Sequence, residues 1–370
     1  MNPVIEAFRG AAALAVLLHH YSYLTDGTLT GGWLHALHNG VDLFFVITGY
    51  LFAPHLLGEQ RQHVGGFAIR RVFRLYPLYM LSLAVAVAKD WGEREGIVQA
   101  AVLHLVFAQA LPIHGLQEVG FFSQIYWTLP VEVAFYALVA VALAMPAAAP
   151  RQPQPGRRIV LVGALALLGF VVVFATRYDP RSESWVVWQA QLPALLAQFW
   201  FGILVHRVRP WLQRSAGARA AALATGLGML VALGALYPMA ADGALTARPF
   251  GLFNLASGVG WALLFGACVA SPRRMGPRAT RVALGMGSIS YGMYLFHEWT
   301  LKSALRLLPG LPVIVQLGAA FVMVVALALL PASPPLPWDE LMLDPGYRHA
   351  LDLVVGSSVP HRGVGDPAPS

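Results

Sequence analysis

The sequence predicts an all-α protein, a polytopic bundle of about ten transmembrane helices with its N- and C-termini in the cytoplasm. Hydrophobic residues make up 57% of the 370 residues and charged residues only 12%, whereas a soluble domain is about 25% charged. The apolar residues are gathered in runs of about 20, the length of a helix that crosses the hydrocarbon core of a bilayer. The one cysteine cannot form an intrachain disulfide.

Ten apolar runs are long enough to span the membrane. They lie at residues 3–23, 40–57, 71–88, 127–146, 158–176, 186–205, 217–236, 250–270, 282–301 and 311–331. A weaker run at 97–113 contains Gln99, His104, Gln109 and Pro112. The first run lacks the basic region and the small-residue cleavage site of a signal peptide, so we expect it to be retained as the first helix.

Positive charge orients these spans, because Lys and Arg accumulate in cytoplasmic loops. Loops 206–219, 271–281 and 58–74 each contain four arginines, whereas 24–38 contains neither Lys nor Arg. We therefore place the three basic loops in the cytoplasm and 24–38 outside. The N-terminus then lies in the cytoplasm, and so does the C-terminus after ten crossings.

The weaker run at 97–113 does not fit this topology as a further crossing. The loop at 89–96 falls outside and the basic stretch 147–158 falls inside, so the chain crosses an odd number of times between them. We predict that 97–113 forms a re-entrant or interfacial helix. The transmembrane domain is expected to cover 1–331, and the segment 332–370 is expected to be a disordered cytoplasmic tail.

Ionisable residues inside the spans fall into two layers. Arg9 lies near the cytoplasmic end of the first span, and Arg71 and Arg74 open the third span from the same side. Nearer the outer side we place four residues from different spans: His20, Asp42, Glu132 and His297. A charge at bilayer depth costs about 2.5–3.5 kcal/mol, and such residues face the bundle interior. We therefore expect a shared polar cavity.

The first span carries residues of both layers. Arg9 and His20 are eleven residues apart, which is about three helical turns, so they share one face at a separation of about 16 Å along the axis. Glu6 precedes Arg9 by three residues and can pair with it on that face. One helix thus presents a guanidinium group near the cytoplasm and an imidazole near the outer side.

Each of these residues also has a simpler interpretation. Arginines at the inner ends of spans often act only as topology signals, and Glu6 and Arg9 could form a purely structural ion pair. Asp42 near the start of a helix is favoured by the helix dipole. His297 could serve only to hydrogen-bond across helices.

Three other kinds of site are not predicted. No span carries two histidines at the spacing that shares a metal ion, so we predict no metal. The tract GMGSIS at 285–290 is glycine-rich but does not follow a strand, so it is not a dinucleotide-binding motif. The net charge of +7 is explained by arginines at the cytoplasmic ends of spans, so we predict membrane lipids and no nucleic acid as partners.

Five motifs follow one another along the chain. They read IEAFRG at 5–10 with His20 after ten further residues, GVDLFFVITGYLF at 40–52, RRVFRLYPLY at 70–79, WTLPVEVAFY at 127–136 and SISYGMYLFHEW at 288–299. In this order and spacing they resemble the acyltransferase 3 family of bacterial membrane O-acyltransferases. The chain departs from that family at Glu6 (usually Asp), Thr48 (usually Ser) and Pro130, and the family's usual ending is not recognisable after Ala332.

The resemblance implies a fold, an activity and a location. It implies a bundle of about ten spans in the bacterial cytoplasmic (inner) membrane that moves an acyl group, acetyl by default, from cytoplasmic acyl-CoA to a hydroxyl of a carbohydrate or glycolipid. Arg9 and His20 match the family's essential arginine–histidine pair. Arg71 and Arg74 match its paired arginines, and Glu132 matches its glutamate.

Acyl transfer to an alcohol needs a base, stabilisation of charge at the acyl oxygen and a hold on the donor. Histidine is the suitable base near neutral pH, so we assign that role to His20, oriented by Glu132 or Asp42. Arginine binds phosphate groups bidentately, so Arg71 and Arg74 are expected to hold CoA. Arg9 lies between them and the base, where it could guide the pantetheine arm or stabilise the oxyanion.

Two alternatives remain open from the sequence. The acceptor could be a small molecule, such as a macrolide sugar, rather than a surface glycan. The alternative of another class is a transporter of a polar substrate, because polar residues that line a helical bundle also mark substrate pathways. We find no inverted repeat of the kind that many transporters contain.

Overall fold

The computed structural model describes residues 2–25, 33–60, 62–111, 121–145, 155–177, 188, 191–241 and 249–329. Every regular element in these ranges is a helix, so the predicted all-α class is confirmed. The described residues all belong to one compact unit. The predicted tail at 332–370 lies outside the described residues.

The described ranges contain eleven α-helices and two short 3₁₀-helices. The α-helices are α1 (Pro3–Leu24), α2 (Gly40–Leu56), α3 (Val64–Asp90), α4 (Ile97–Leu105), α5 (Thr128–Ala144), α6 (Pro155–Arg177), α7 (Leu192–Arg214), α8 (Ala216–Ala241), α9 (Pro249–Val269), α10 (Pro277–Leu307) and α11 (Val313–Leu329). The 3₁₀-helices Trp33–Asn39 and Gln124–Trp127 precede α2 and α5.

Six of the described helices are long and apolar enough to cross a membrane. They are α2 with the 3₁₀-helix before it, α3, α5 with the residues before it, α6, α8 and α9. α11 is apolar but shorter. α1, α7 and α10 do not meet this criterion, and each buries polar side chains, among them Glu6, Gln198 and His297.

α4 is the element of the weaker run at 97–113. It contains nine residues, so it is about 14 Å long, roughly half the thickness of the hydrocarbon core. The hydroxyl of Tyr79 in α3 donates to the carbonyl oxygen of His104 at 2.9 Å, which ties α4 to α3. The length of α4 agrees with a segment that does not cross.

α3 begins at Val64, seven residues before the predicted start of the third span. Arg71 and Arg74 therefore lie about two and three turns inside the helix and not at its first residues. The sequence prediction had these two arginines open the span. Arginine can remain within a helix near the membrane surface because its aliphatic stem packs on apolar surface while the guanidinium reaches polar surroundings.

Glycines allow two pairs of helices to pack closely. α1 lies along α10, where a Cβ at Gly10 would be 2.6 Å from Cβ of Met286 and one at Gly287 would be 2.5 Å from Cβ of Glu6. α2 packs on α7 in the same way through Gly49 and Gly202, since a Cβ at either would meet backbone of the other helix. Small residues at such contacts let membrane helices approach. The GMGSIS tract thus contributes a helix contact.

Candidate active site

The first cavity is lined by ionisable residues from three helices, and we call it the arginine cavity. Arg9 comes from α1, Arg71 and Arg74 from α3, and Glu132 from α5. The remaining lining is mostly aromatic and aliphatic, with hydroxyl groups from α2, α5 and α10 at Thr48, Thr128, Tyr136, Ser290, Tyr291 and Tyr294. The cavity therefore brings together all three of the predicted arginines.

Arg9 is held in this cavity by the predicted pair with Glu6. Nη1 of Arg9 donates to Oε2 of Glu6 at 3.0 Å, and Glu6 is only 6% exposed. The Glu6 side chain packs directly on the backbone of α10 at Gly287. The contact between α1 and α10 therefore fixes where the carboxylate stands and, through it, where the guanidinium of Arg9 stands.

Arg71 is surrounded by aromatic rings. Its guanidinium carbon lies 5.1 Å from the ring centre of Phe52 and 5.7 Å from those of Phe67 and Tyr136. A cation over aromatic faces gains about 0.5–2 kcal/mol, so these rings hold the side chain in place. Its Nε is buried without a hydrogen-bond partner among the described residues. The neighbouring Arg70 is exposed, donates to Gln62 at 2.5 Å and does not line the cavity.

Glu132 lies with the arginines and not with the histidine. The hydroxyl of Tyr136, one turn further along α5, donates to Oε1 of Glu132. Both side chains line the arginine cavity. Of the two carboxylates considered as partners of His20, Glu132 therefore occupies the other cavity. Tyr136 was missed from the sequence, although its spacing of four residues from Glu132 is the signal that would have found it.

The second cavity contains the imidazole groups, and we call it the histidine cavity. It is lined by His19 and His20 from α1, Asp42 from α2 and Asn254 from α9, together with His38, Trp127 and apolar side chains. Asp42 is buried and accepts a hydrogen bond from Ser257 of α9. Asp42 is thus the predicted carboxylate that shares a cavity with His20.

His20 is oriented by rings. No hydrogen bond is found between its imidazole and any described residue, but the ring of His297 in α10 stacks on it at 4.8 Å between centres and 27° between planes. The ring of His19 meets His20 edge-on at 5.0 Å. His297, expected in the outer layer, is fully buried and lies directly against the predicted base.

The two cavities share part of one wall. Val41 of α2 and Tyr294 of α10 line both of them. The hydroxyl of Tyr294 donates to the carbonyl oxygen of Ile125 at 2.9 Å and lies 2.7 Å from the hydroxyl of Thr128. Tyr294 is therefore fixed in position between the arginines and His20. No role for Tyr294 was predicted from the sequence, although it precedes His297 by three residues on the same helical face.

A metal centre is not found in the described part of the chain. No group of three or more His, Cys, Asp or Glu side chains in it is arranged to hold a metal ion. The arginine cavity contains three guanidinium groups and a carboxylate. The adjoining histidine cavity contains imidazole groups and a carboxylate. Such a set can bind an anionic donor and move a proton.

Comparison with known proteins agrees with this chemistry. The family model described as an acyltransferase domain, that of acyltransferase 3, matches residues 2–332. A Komagataeibacter xylinus protein provisionally named a membrane-bound transacylase, BcsY, is 27% identical over 311 residues, which cover 79% of this chain and 71% of that protein. A Staphylococcus aureus (strain COL) protein provisionally named an O-acetyltransferase is 31% identical over 157 residues, or 38% of this chain and 24% of its own length.

A further relative of the chain comes from a virus. A protein of Acidianus two-tailed virus, provisionally named an acetyltransferase, is 23% identical over 311 residues, which cover 80% of this chain and 82% of that protein. No solved structure matches the chain. Because the family model covers nearly the whole sequence, this chain belongs to the acyltransferase 3 family and is an acyltransferase.

Proposed function

We propose that the protein transfers an acyl group, acetyl by default, from cytoplasmic acyl-CoA to a hydroxyl of a carbohydrate or glycolipid at the bacterial cytoplasmic membrane. The observation that carries this proposal is that a cavity lined by Arg9, Arg71 and Arg74 adjoins the cavity of His20. The names of the bacterial relatives, a transacylase and an O-acetyltransferase, support the same class of reaction.

The proposed topology is ten spans with both termini in the cytoplasm. Ten of the described helices coincide with the ten long apolar runs, and α4 coincides with the weaker run. In this topology the N-terminal end of α3 faces the cytoplasm, because the segment 58–74, which includes it, is rich in arginine. The arginine cavity then opens towards the side where acyl-CoA is made, and His20 lies deeper, towards the outer side.

In this proposal Arg71 and Arg74 bind the phosphate groups of CoA. Arg74 is exposed. Arg71 is held by its aromatic neighbours, so its side chain loses less conformational freedom when the donor binds. Glu132 balances part of the positive charge and, with Tyr136, fixes the shape of the cavity. Arg9 is about 16 Å from His20 along α1, a distance that favours guiding the pantetheine arm over stabilising an oxyanion beside the base.

In the proposed reaction one proton passes from the acceptor hydroxyl to CoA by way of His20. His20 takes the proton from the acceptor hydroxyl while the oxygen attacks the thioester carbon. The C–S bond then breaks, and the CoA thiolate receives the proton from His20. Asp42, in the same cavity, supplies negative charge near the protonated imidazole. The thioester reaches His20 past Val41 and Tyr294.

The proposal is tested by CoA release and by the fate of the acyl group. Membrane vesicles that contain the protein are incubated with acetyl-CoA labelled in the acetyl group. His20→Ala should lower CoA release about 10²–10⁴-fold, the usual contribution of a general base. Retained turnover at normal protein levels would refute the assignment. Label in glycan or glycolipid supports the proposed acceptor, whereas label in a small soluble product favours the macrolide-sugar class.

The donor site has its own test with a matched control. Arg71→Ala combined with Arg74→Ala should raise the KM for acetyl-CoA by at least about tenfold, because a charge-assisted hydrogen bond contributes about 1.5–3 kcal/mol. Arg70→Ala removes an arginine from the same helix that does not line the cavity, so its KM should equal that of the wild type. An unchanged KM in the double variant would refute the donor role.

A further inference from the structure

The proposed base needs a hydrogen-bond acceptor within the protein. Neutral histidine has one N–H group, and protonated histidine has two. His20 takes the hydroxyl proton on the nitrogen that has the lone pair, so its other nitrogen carries an N–H throughout, and that N–H needs an acceptor, since an unpaired buried donor costs about 1–3 kcal/mol. Glu132 cannot serve in this geometry because it lies in the arginine cavity, bound to Tyr136. Asp42 lines the cavity of His20 and accepts from Ser257, but no hydrogen bond joins it to the imidazole of His20.

His297 has the free acceptor. Its Nδ1 lies 2.7 Å from the carbonyl oxygen of Tyr294 and 3.2 Å from that of Met293. A carbonyl only accepts, so Nδ1 carries the proton and Nε2 keeps its lone pair. Nε2 is buried and has no hydrogen-bond partner among the described residues. The ring stacks on His20 at 4.8 Å.

An unpaired Nε2 is not by itself what distinguishes His297; its position beside His20 is. His104 in α4 has the same bonding pattern, with Nδ1 2.8 Å from the carbonyl oxygen of Ala100 and Nε2 unpartnered among the described residues. His104, however, lies against Phe122 and Tyr126 and lines neither site cavity. Only at His297 does the free lone pair lie beside the proposed base.

We propose that His297 is a positioning residue for His20: its Nε2 accepts a hydrogen bond from the ring N–H of His20 that takes no part in the proton transfer, which leaves the other ring nitrogen to receive the hydroxyl proton. This inference rests on the proposed function, because it takes His20 as the base. The two rings stack at 4.8 Å between centres, so this hydrogen bond requires the imidazole of His20 to turn out of the stack, and no hydrogen bond to a described residue prevents that turn. The proton that came from the acceptor hydroxyl then passes to the CoA thiolate, and His297 neither gains nor loses one.

Two substitutions at His297 separate the lone pair from the ring. His297→Phe keeps a stacking ring and removes the acceptor, whereas His297→Gln keeps an acceptor oxygen. We expect His297→Phe to lower kcat for CoA release from acetyl-CoA about 10- to 100-fold, the size of one lost hydrogen bond to a charged group. The KM for acetyl-CoA should stay within about twofold, and His297→Gln should recover part of the rate. His104→Phe is the matched control and should keep the wild-type rate.

The same series includes His20→Ala, alone and combined with His297→Phe. If His297 acts through His20, the Phe substitution lowers the rate no further in the His20→Ala background. A wild-type rate for His297→Phe, or an equal loss in Phe and Gln variants of equal thermal stability, would overturn the positioning role while leaving His20 as the base. A wild-type rate for His20→Ala would instead remove the base itself. The two failures are therefore distinguishable.

Discussion

Gly287 offers a direct test of how helix packing positions Arg9. In Gly287→Ala the new Cβ would stand 2.5 Å from Cβ and 2.8 Å from Cα of Glu6. Ordinary contact for a Cβ begins at 3.4 Å, so α1 and α10 must separate by roughly 1 Å, a change that costs about 1–3 kcal/mol in a packed interior. The new Cβ would also meet Oε2 of Glu6, which a change of side-chain rotamer can move, but Cβ and Cα of Glu6 stay in place, so such a change does not relieve the contact.

The expected result is a loss of both stability and activity. Gly287→Ala should lower the melting temperature of the detergent-solubilised protein, followed by fluorescence-detected size exclusion. It should also lower CoA release, because the Glu6 carboxylate that holds the guanidinium of Arg9 at 3.0 Å moves with α1. The effect on activity should be the larger one in vesicles, where the lipid keeps the bundle assembled.

Gly285 provides the matched control on the same helix. A Cβ at Gly285 meets nothing within 4 Å, so Gly285→Ala should be neutral or should stabilise α10 by about 0.5–1 kcal/mol through helix propensity. If Gly287→Ala melts at the same temperature as Gly285→Ala and releases CoA at the wild-type rate, the contact at Gly287 does not position Arg9. A loss in Gly285→Ala of similar size would equally refute the argument from close approach.

Two further predictions concern the walls of the cavities. Tyr136→Phe keeps the ring beside Arg71 but removes the hydrogen bond to Glu132, which should raise the KM for acetyl-CoA about tenfold. The control is Tyr76→Phe, because the hydroxyl of Tyr76 donates to Leu105 instead, and its KM should stay at the wild-type value. Equal KM values in the two variants would contradict the role of Tyr136. Val41→Phe adds bulk to the wall that both cavities share. It should lower the rate of CoA release at least about tenfold while leaving the binding of acetyl-CoA unchanged. A wild-type rate of CoA release would exclude passage of the thioester beside Val41.

The helices and the Glu6–Arg9 pair could be predicted because they depend on nearby residues. A run of about 20 apolar residues forms a helix whatever surrounds it in a membrane, and the coincidence of ten described helices with the ten runs follows from this. The pairing of Glu6 with Arg9 needs only a spacing of three residues on one helix. The common cavity of Arg71 and Arg74 follows from the same spacing.

The partner of His20 could not be predicted because it depends on how separate helices rotate against one another. α2, α5 and α7 meet where the ring of Phe199 stacks on Phe45 at 4.8 Å and on Phe135 at 4.0 Å between centres. That stack and the close approach at Gly49 decide which faces of α2 and α5 point to each cavity. Periodicity within either helix contains no such information. The result is that Asp42 shares a cavity with His20 while Glu132 does not.

Separation of the two cavities has a consequence for which donors the enzyme can use. The cations that suit CoA and the imidazole that suits the acceptor lie in different cavities, and the wall between them is made by Val41 and Tyr294. In the proposed reaction the acyl group is the only part of the donor that must pass this wall. The length and branching of the acyl group would then be limited by the space between α2 and α10, whereas the affinity for CoA would depend on the arginine cavity. Enlarging the wall with Val41→Ala should therefore admit longer acyl groups at an unchanged KM for CoA thioesters, and a parallel change in KM would argue that one continuous pocket holds the whole donor.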